Sequence, residues 1–514
     1  MSNAPALETP TPATQTLSVL RALFAQLAEE EIAYCHWKSN EHLRAAMVGA
    51  TDLDLLVERR AALRFTEVLA AHGFKRFAPI PRRAYPAVED FLGFDYDTGA
   101  LVHLHVHYEL TIGEPYLKGY RLPWEHITLA TRRLDAEEGV YTADPHIELL
   151  LLLVRSALKA GTEMLSRRAA PAMRGGALRE LRWLCERVSP DILTRQAREL
   201  LGSAAADLLP GMLSPAGPTR AQLHTFRTVI TPMLRDCRSH RPVLAFTHRW
   251  TRELAAHVRH LRRRLRIPPR GPQLRTVPRG GLLIALLGAD GAGKSTLARE
   301  LDKWLSWKLD VMSMYGGSGA GSASMSRRLL EGVATVARRA HPRRSHENRG
   351  EASRAPIHSR RQGRGERIGR IAWALALARE RRRRADAARR ARNAGMIVVF
   401  DRLPQRQFAG LNDGPKLEHW LHARNPAWRA AARYEEATFT TAGRCPPDLV
   451  IRLRLSFEEA YRRKPETPAD QLLRKLEIVP RLQFTTHSRV IDIDAGQPLQ
   501  MVLLEVKRAV WESL

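Results

Sequence analysis

GLLIALLGADGAGKSTLARE, residues 281–300, runs from an apolar segment (Leu282 to Leu287) through a glycine-rich turn into a helical pattern. It reads G-x-x-x-x-G-K-[ST] in the strand–loop–helix setting that this motif requires. Backbone amides at Gly288, Gly291, Ala292 and Gly293 curl round phosphate oxygens, and the glycines keep Cβ atoms out of the way. Lys294 places a solvent-facing cation on the β- and γ-phosphates, and Ser295 ligates Mg2+. Thr296 continues the loop into a helix whose positive end faces the same anion. The stretch predicts a nucleoside triphosphate site, with ATP and Mg2+ as cofactors.

A chain of 514 residues is too long for one core; the soft expectation is about three domains of roughly 150 residues each. Cys35, Cys185, Cys237 and Cys445 are scattered, with no C-x-x-C pair. That argues against a disulfide framework and a zinc ribbon and fits a reducing compartment. Residues 1–16 are rich in Pro, Thr and Ala and read as a disordered tail rather than a targeting segment. The apolar run Leu149 to Val154 is far too short to span a bilayer. A cytoplasmic protein without a membrane span is expected.

The formal charge is +28, unevenly spread: residues 321–400 hold 21 arginines, no lysine and 6 acidic residues. Such a patch suits nucleic acid or an anionic membrane. Trp373 is the lone aromatic residue between 321 and 395, which disfavours stacking on bases. A solvated insertion is the preferred reading, and nucleic acid is a possible but not favoured partner.

Helical and strand patterns divide the chain. A helix is predicted over 17–31 and another over 61–72, with strands at Ala33–Trp37, Leu53–Val57 and Leu101–Tyr108. This α+β unit covers 17–144, and a helical region follows over 145–266. A Pro- and Gly-rich linker, 267–280, leads to the second globular unit, 281–514, which carries a basic insertion at 315–393. Strands at Met396–Phe400, Leu449–Leu455 and RVIDIDA alternate with helices, so an α/β fold with a parallel sheet flanked by helices is expected.

Further motifs narrow the second unit. Asp290 sits two residues after the first loop glycine. VVFDR ends a buried strand with Asp401, placed to hold Mg2+ through water, and Arg402, placed to clamp an acceptor phosphate. AYRRKPE (Ala460 to Glu466) sets cations on a segment that could close over transferring phosphates. Together G-x-D-x-x-G-K-S-T, V-V-F-D-R, P-D-L-V-I-x-L, R-R-K-P-E and I-D-A resemble the thymidylate kinase family of P-loop nucleoside monophosphate kinases. The resemblance implies an ATP-dependent kinase with Lys294 and Ser295 on ATP·Mg2+ and Asp290 beside the acceptor. It also implies Arg402 on the acceptor phosphate, Arg462 and Arg463 as lid arginines, and dimer formation. The sequence departs from the family in DRLPQRQFAGLNDG (401–414) and MYGGSGAGS (314–322), two segments that help build the nucleoside pocket, and so leaves the small-molecule or nucleotide acceptor open.

In the first unit, Lys38-Ser39-Asn40 makes a turn before Asp52-x-Asp54, whose two carboxylates share a strand face and can chelate Mg2+. The stretch resembles the nucleotidyltransferase superfamily with its polymerase-β-like fold. The third carboxylate of that superfamily would fall near His105 in VHLHVHYEL. His103, His105 and His107 alternate onto one face, and they make either a polar sheet face, the preferred reading, or a metal site with Asp52 and Asp54. An active transferase, one of altered chemistry and a degenerate binding domain all stay open. The leading expectation is a kinase fused to a nucleotidyltransferase-like domain, the two acting on one small metabolite. The alternatives are a non-catalytic ATP-binding regulatory protein and a toxin-like nucleotidyltransferase acting on protein or RNA.

Overall fold

The computed structural model describes residues 15–113, 117–160, 173, 175–264, 271–316, 364–408, 414–443 and 446–514. The chain divides into two compact units, one ending at Arg275 and the other starting at Thr276.

The N-terminal unit is built on a seven-stranded sheet. Its strands are β1 (Tyr34–His36), β2 (Leu53–Val57), β3 (Lys75–Phe77), β4 (Val88–Phe94), β5 (Leu101–His107), β8 (Arg133–Asp135) and β9 (Val140–Thr142), in the order β3-β4-β5-β2-β1-β9-β8. A separate hairpin pairs β6 (Leu110–Ile112) with β7 (Tyr120–Leu122). Residues i and i+2 of a strand share a face, so β5 sends Val102, Leu104 and Val106 one way and its three histidines the other. The apolar side packs against helices Ser18–Glu29 and Ala62–Ala71 through Leu20, Leu23, Phe65 and Leu69.

The opposite face is covered by helix Pro145–Lys159. Asp144 caps that helix by accepting from His146 N at 2.9 Å, and Pro145 supplies the first turn. The run from Leu149 to Val154 is apolar all round and wholly buried, as such a helix must be. Helices Gly176–Cys185, Pro190–Leu201 and Arg220–Met233 join the same core. No helix among the described residues is long and apolar enough to cross a membrane.

The C-terminal unit holds a five-stranded sheet, β11-β12-β10-β13-β14, in which every pairing is parallel. The strands are β10 (Leu283–Gly288), β11 (Val311–Tyr315), β12 (Ile397–Asp401), β13 (Leu449–Arg454) and β14 (Arg489–Asp494). A parallel sheet is covered on both faces, which is why β10, β12 and β13 read as nearly continuous apolar runs. The chain order reverses around β10, the strand that feeds the glycine loop. In such sheets ligands settle outside the carboxyl ends of the strands at that switch point.

Two expectations are corrected in this unit. The span 315–393 is not an insertion throughout: helix Arg364–Asn393 packs on the sheet through Ala388 and Ala391, and Ala374 clusters with Ala431 and Ala432 of helix Pro426–Gly443. Residues 317–363 of that span, and residues 1–14 of the expected tail, lie outside the described residues. Second, Arg462 and Arg463, expected on a segment that could close over transferring phosphates, lie within a helix. They form the last turn of helix Phe457–Arg463, because Ser456 caps its start, Glu458 and Glu459 fill its first turn and the arginines complement its negative end.

Candidate functional site

In the C-terminal unit the glycine loop lies between β10 and helix Lys294–Leu305. Gly291 has φ +88°, and a Cβ there would lie 3.2 Å from the Ala460 carbonyl and 3.3 Å from the Arg463 Cβ. Helix Phe457–Arg463 is thus seated against the loop, and Arg463 donates to the Ala495 carbonyl at 3.1 Å and to Gly291 O at 3.5 Å. Arg462 is exposed and pairs with Glu459 on its own helix.

Lys294 is not solvent-facing. It is 6% exposed, and Nζ donates to Gly288 O at 3.0 Å and Ala289 O at 2.7 Å. Burial, and then the Arg402 charge, push its ammonium down to about 8. The lysine thus folds back onto the carbonyls that open its own loop.

Ser295 Oγ donates to Asp401 Oδ2. Asp401 ends β12, level with Leu286 of β10, and its Oδ1 is buried with no hydrogen-bond partner. A buried carboxylate oxygen without a partner, beside a loop serine, is a donor set that fits Mg2+. Arg402 follows with φ +70°, its amide donating to Leu286 O at 3.2 Å. A Cβ at Gly316 would fall 2.0 Å from the Arg402 carbonyl, so only glycine fits at 316.

Asp290 bridges two cations: its Oδ1 accepts from Arg402 at 2.7 Å and its Oδ2 from Lys475. Burial raises the Asp290 carboxyl, but the Lys475 bond and the charges of Lys475, Arg402 and Lys294 outweigh it and hold it at about 2. Lys475 escaped the sequence reading. It lies on helix Ala469–Arg481 between Leu472 and Val479, both buried. A lysine on the apolar stripe of an amphipathic helix is the signal that could have found it. A small crevice of about 30 Å3 lined by Gly316, Arg384, Phe400, Leu403 and Pro404 lies next to Asp401 and Arg402 along the chain.

In the N-terminal unit, β2 and β5 pair in parallel with Asp54 opposite His105. Asp54 Oδ1 lies 2.9 Å from Lys38 Nζ, 3.0 Å from His105 Nδ1 and 3.7 Å from His107 Nε2, and the two imidazole nitrogens are 3.2 Å apart. The anionic form of Asp54 is favoured: burial opposes it, but the Lys38 charge and the two histidine bonds hold its carboxyl well below the usual range. Burial pushes His107 down to about 3 and lowers His105. His103 does not join them. It lies between Asp52, at 3.1 Å, and Asp90, at 2.9 Å, and Arg275 reaches Asp90 at 2.7 Å. Asp52 and Asp54 therefore have separate partners rather than one shared pocket.

The turn before them is also engaged. Ser39 has φ +61° and its amide donates to Glu180 at 3.1 Å, while Asn40 donates to Glu148 from N at 3.0 Å and from Nδ2 at 2.7 Å. The chain's own carboxylates thus take the turn's amides. Burial, and then the Glu180 charge, raise Glu148 to about 7. Lys118 is pushed down to about 8 by burial and by the Lys38 charge.

No protein-family model matches the chain. It is 27% identical over 234 residues to the uncharacterized ATP-binding protein YghR of Escherichia coli (strain K12), covering 44% of this chain and 86% of that protein. The uncharacterized ATP-binding protein YghS of the same strain is 25% identical over 235 residues, covering 45% of this chain and 93% of its own. Among solved structures, deoxyadenosine kinase from M. mycoides with bound dATP matches with a TM-score of 0.25 at 13% identity. That match covers 44% of this chain and 97% of the other, and is too slight to bear on function. The C-terminal unit is a P-loop unit on its own motif and sheet.

Proposed function

We propose that the C-terminal unit is an ATP-dependent phosphotransferase of the nucleoside monophosphate kinase type, acting on a nucleotide or a related small acceptor. The observation that carries this reading is the meeting of Ser295 with Asp401, whose second oxygen is buried without a partner, next to an Asp290 carboxylate that gathers Arg402 and Lys475. The two E. coli relatives, described as ATP-binding, agree with it.

In this reading the loop amides and Lys294 bind the triphosphate. Ser295 and Asp401 hold Mg2+, which would neutralise charge on the β- and γ-oxygens. Arg402 and Lys475 face the acceptor's anionic group, and Asp290 is a positioning residue that fixes both cations. The acceptor oxygen forms the new bond to the γ-phosphorus, the bond to the β–γ bridging oxygen breaks, and ADP leaves. Arg463, seated against Gly291 of the phosphate-binding loop, would serve as the lid arginine, whereas Arg462 would have to turn away from Glu459 to take part.

The N-terminal unit is read as nucleotidyltransferase-like in its strand arrangement, although Asp52, engaged with His103, and Asp54, engaged with Lys38 and His105, do not form the paired-carboxylate Mg2+ site that the resemblance implies. The parallel pairing that sets His105 opposite Asp54 supports the strand arrangement, while a histidine where the superfamily carries its third carboxylate is a departure that points to altered chemistry or a binding role.

A screen of nucleoside monophosphates and sugars for ADP release from ATP and Mg2+ tests the kinase reading. Release with one acceptor class, lost in Lys294→Ala, supports it. ATP binding without turnover across the panel favours a regulatory nucleotide-binding protein. A folded sample with no affinity for ATP ends the proposal.

A further inference from the structure

We propose that the N-terminal unit holds a divalent transition-metal ion on Asp54, His105 and His107, not the Mg2+ that paired carboxylates would select. This site is separate from phosphoryl transfer by the C-terminal unit, and neither reading depends on the other.

Among the described residues these three offer ligand atoms that all lie within 4.8 Å of one another. The separations are more telling. An ion bound about 2.0–2.2 Å from each ligand atom leaves those atoms roughly 2.9–3.6 Å apart in tetrahedral or octahedral geometry. Two of the observed values fall within that range, 3.0 Å (Asp54 to His105) and 3.2 Å (His105 to His107), and the third, 3.7 Å (Asp54 to His107), lies just above it. The scaffold is rigid, since β5 places both imidazoles on one face two residues apart and β2 fixes Asp54 opposite His105. His107 is fully buried, its ring packed edge-on against Trp37 at 5.1 Å.

The donor set decides the class of ion. Two imidazoles and one carboxylate suit Zn2+, Fe2+, Ni2+ or Cu2+, whereas Mg2+ wants oxygen. Asp52 supplies no second carboxylate, because it faces His103. The competing cation is Lys38, 2.9 Å from Asp54. Its ammonium also lies 5.0 Å from the centre of the Trp37 ring, which gives it a place to withdraw when the ion enters.

The test is titration of the full-length, chelator-treated protein with Zn2+ by calorimetry, with Co2+ absorption as the spectroscopic partner. One tight Zn2+ per chain is expected, with visible Co2+ bands and no thiolate charge-transfer band. The double variant His105→Ala/His107→Ala loses that site. Asp54→Asn weakens it by more than about 10-fold, since even loss of an outer-shell partner costs 10- to 100-fold. Lys38→Met tightens it by about 10-fold through removal of a competing charge. If the double variant does not fold, His105→Gln and Asp54→Asn carry the comparison. Equal Zn2+ binding by the wild type and the histidine variants overturns the proposal. So does displacement of Zn2+ by millimolar Mg2+, which would mark a carboxylate site.

Discussion

Asp290 and Lys475, 185 residues apart in the chain, are joined by an ion pair beside the phosphate-binding loop, and Arg402 is bonded to the other oxygen of the same carboxylate. One acid thus holds two cations from different elements at the carboxyl end of the sheet. Lys475→Met leaves Arg402 with a partner but removes one of the two cations. We expect kcat/KM for the acceptor to fall about 10- to 100-fold, the worth of one charge-assisted bond, with KM for ATP unchanged. Steady-state kinetics with each substrate varied in turn checks this.

Lys294 is the group most directly tied to ATP. Its ammonium is buried and its charged form disfavoured, so the folded protein bears a cost for keeping it. Lys294→Met keeps the methylenes and drops the charge. Turnover is expected to vanish, while the thermal midpoint of the C-terminal unit stays level or rises. A lower midpoint would mean that the two carbonyl bonds hold the loop together.

Ser295 and Asp401 divide metal-dependent from metal-independent binding. Asp401→Asn should weaken ATP binding in the presence of Mg2+ by about 10-fold or more and leave Mg2+-free nucleotide affinity nearly unchanged. Calorimetric titration under both conditions separates the two. Equal losses would place Asp401 outside the metal site.

Glu148 gives the N-terminal unit a pH dependence. Its carboxyl is raised from 4.5 to about 7 in the folded state. A raised group contributes stability that is full below the unfolded value and is lost as pH rises through the folded one. The N-terminal unit should therefore lose on the order of 3 kcal/mol between pH 4.5 and 7.5 from this residue. Glu148→Gln should flatten that slope, as read by denaturant unfolding at several pH values.

The legible parts of the molecule were those whose physics is local. β10, β12 and β13 are apolar runs long enough to name, and the glycine loop is specified by its own residues. β4 was missed because VEDFLGF carries two acids at its start, one of which, Asp90, is buried only because His103 and Arg275 reach it. Helix Arg364–Asn393 falls in the stretch read as a basic insertion, because its arginines disguised its packing: Arg384 ties back to the Tyr315 carbonyl. Lys475 and the Glu148–Asn40 contact join distant segments, and nothing in either stretch alone announces the other. Separation along the chain, rather than weak chemistry, hid them.

The left-handed backbone of Arg402 sets fold against function. A side chain held at φ +70° costs about 1–3 kcal/mol, a cost that glycine does not bear. Arg402→Gly should therefore make the C-terminal unit harder to melt while removing the guanidinium that Asp290 holds in place. Selection for thermal resistance alone would discard this arginine, and only selection for work done on an acceptor would keep it.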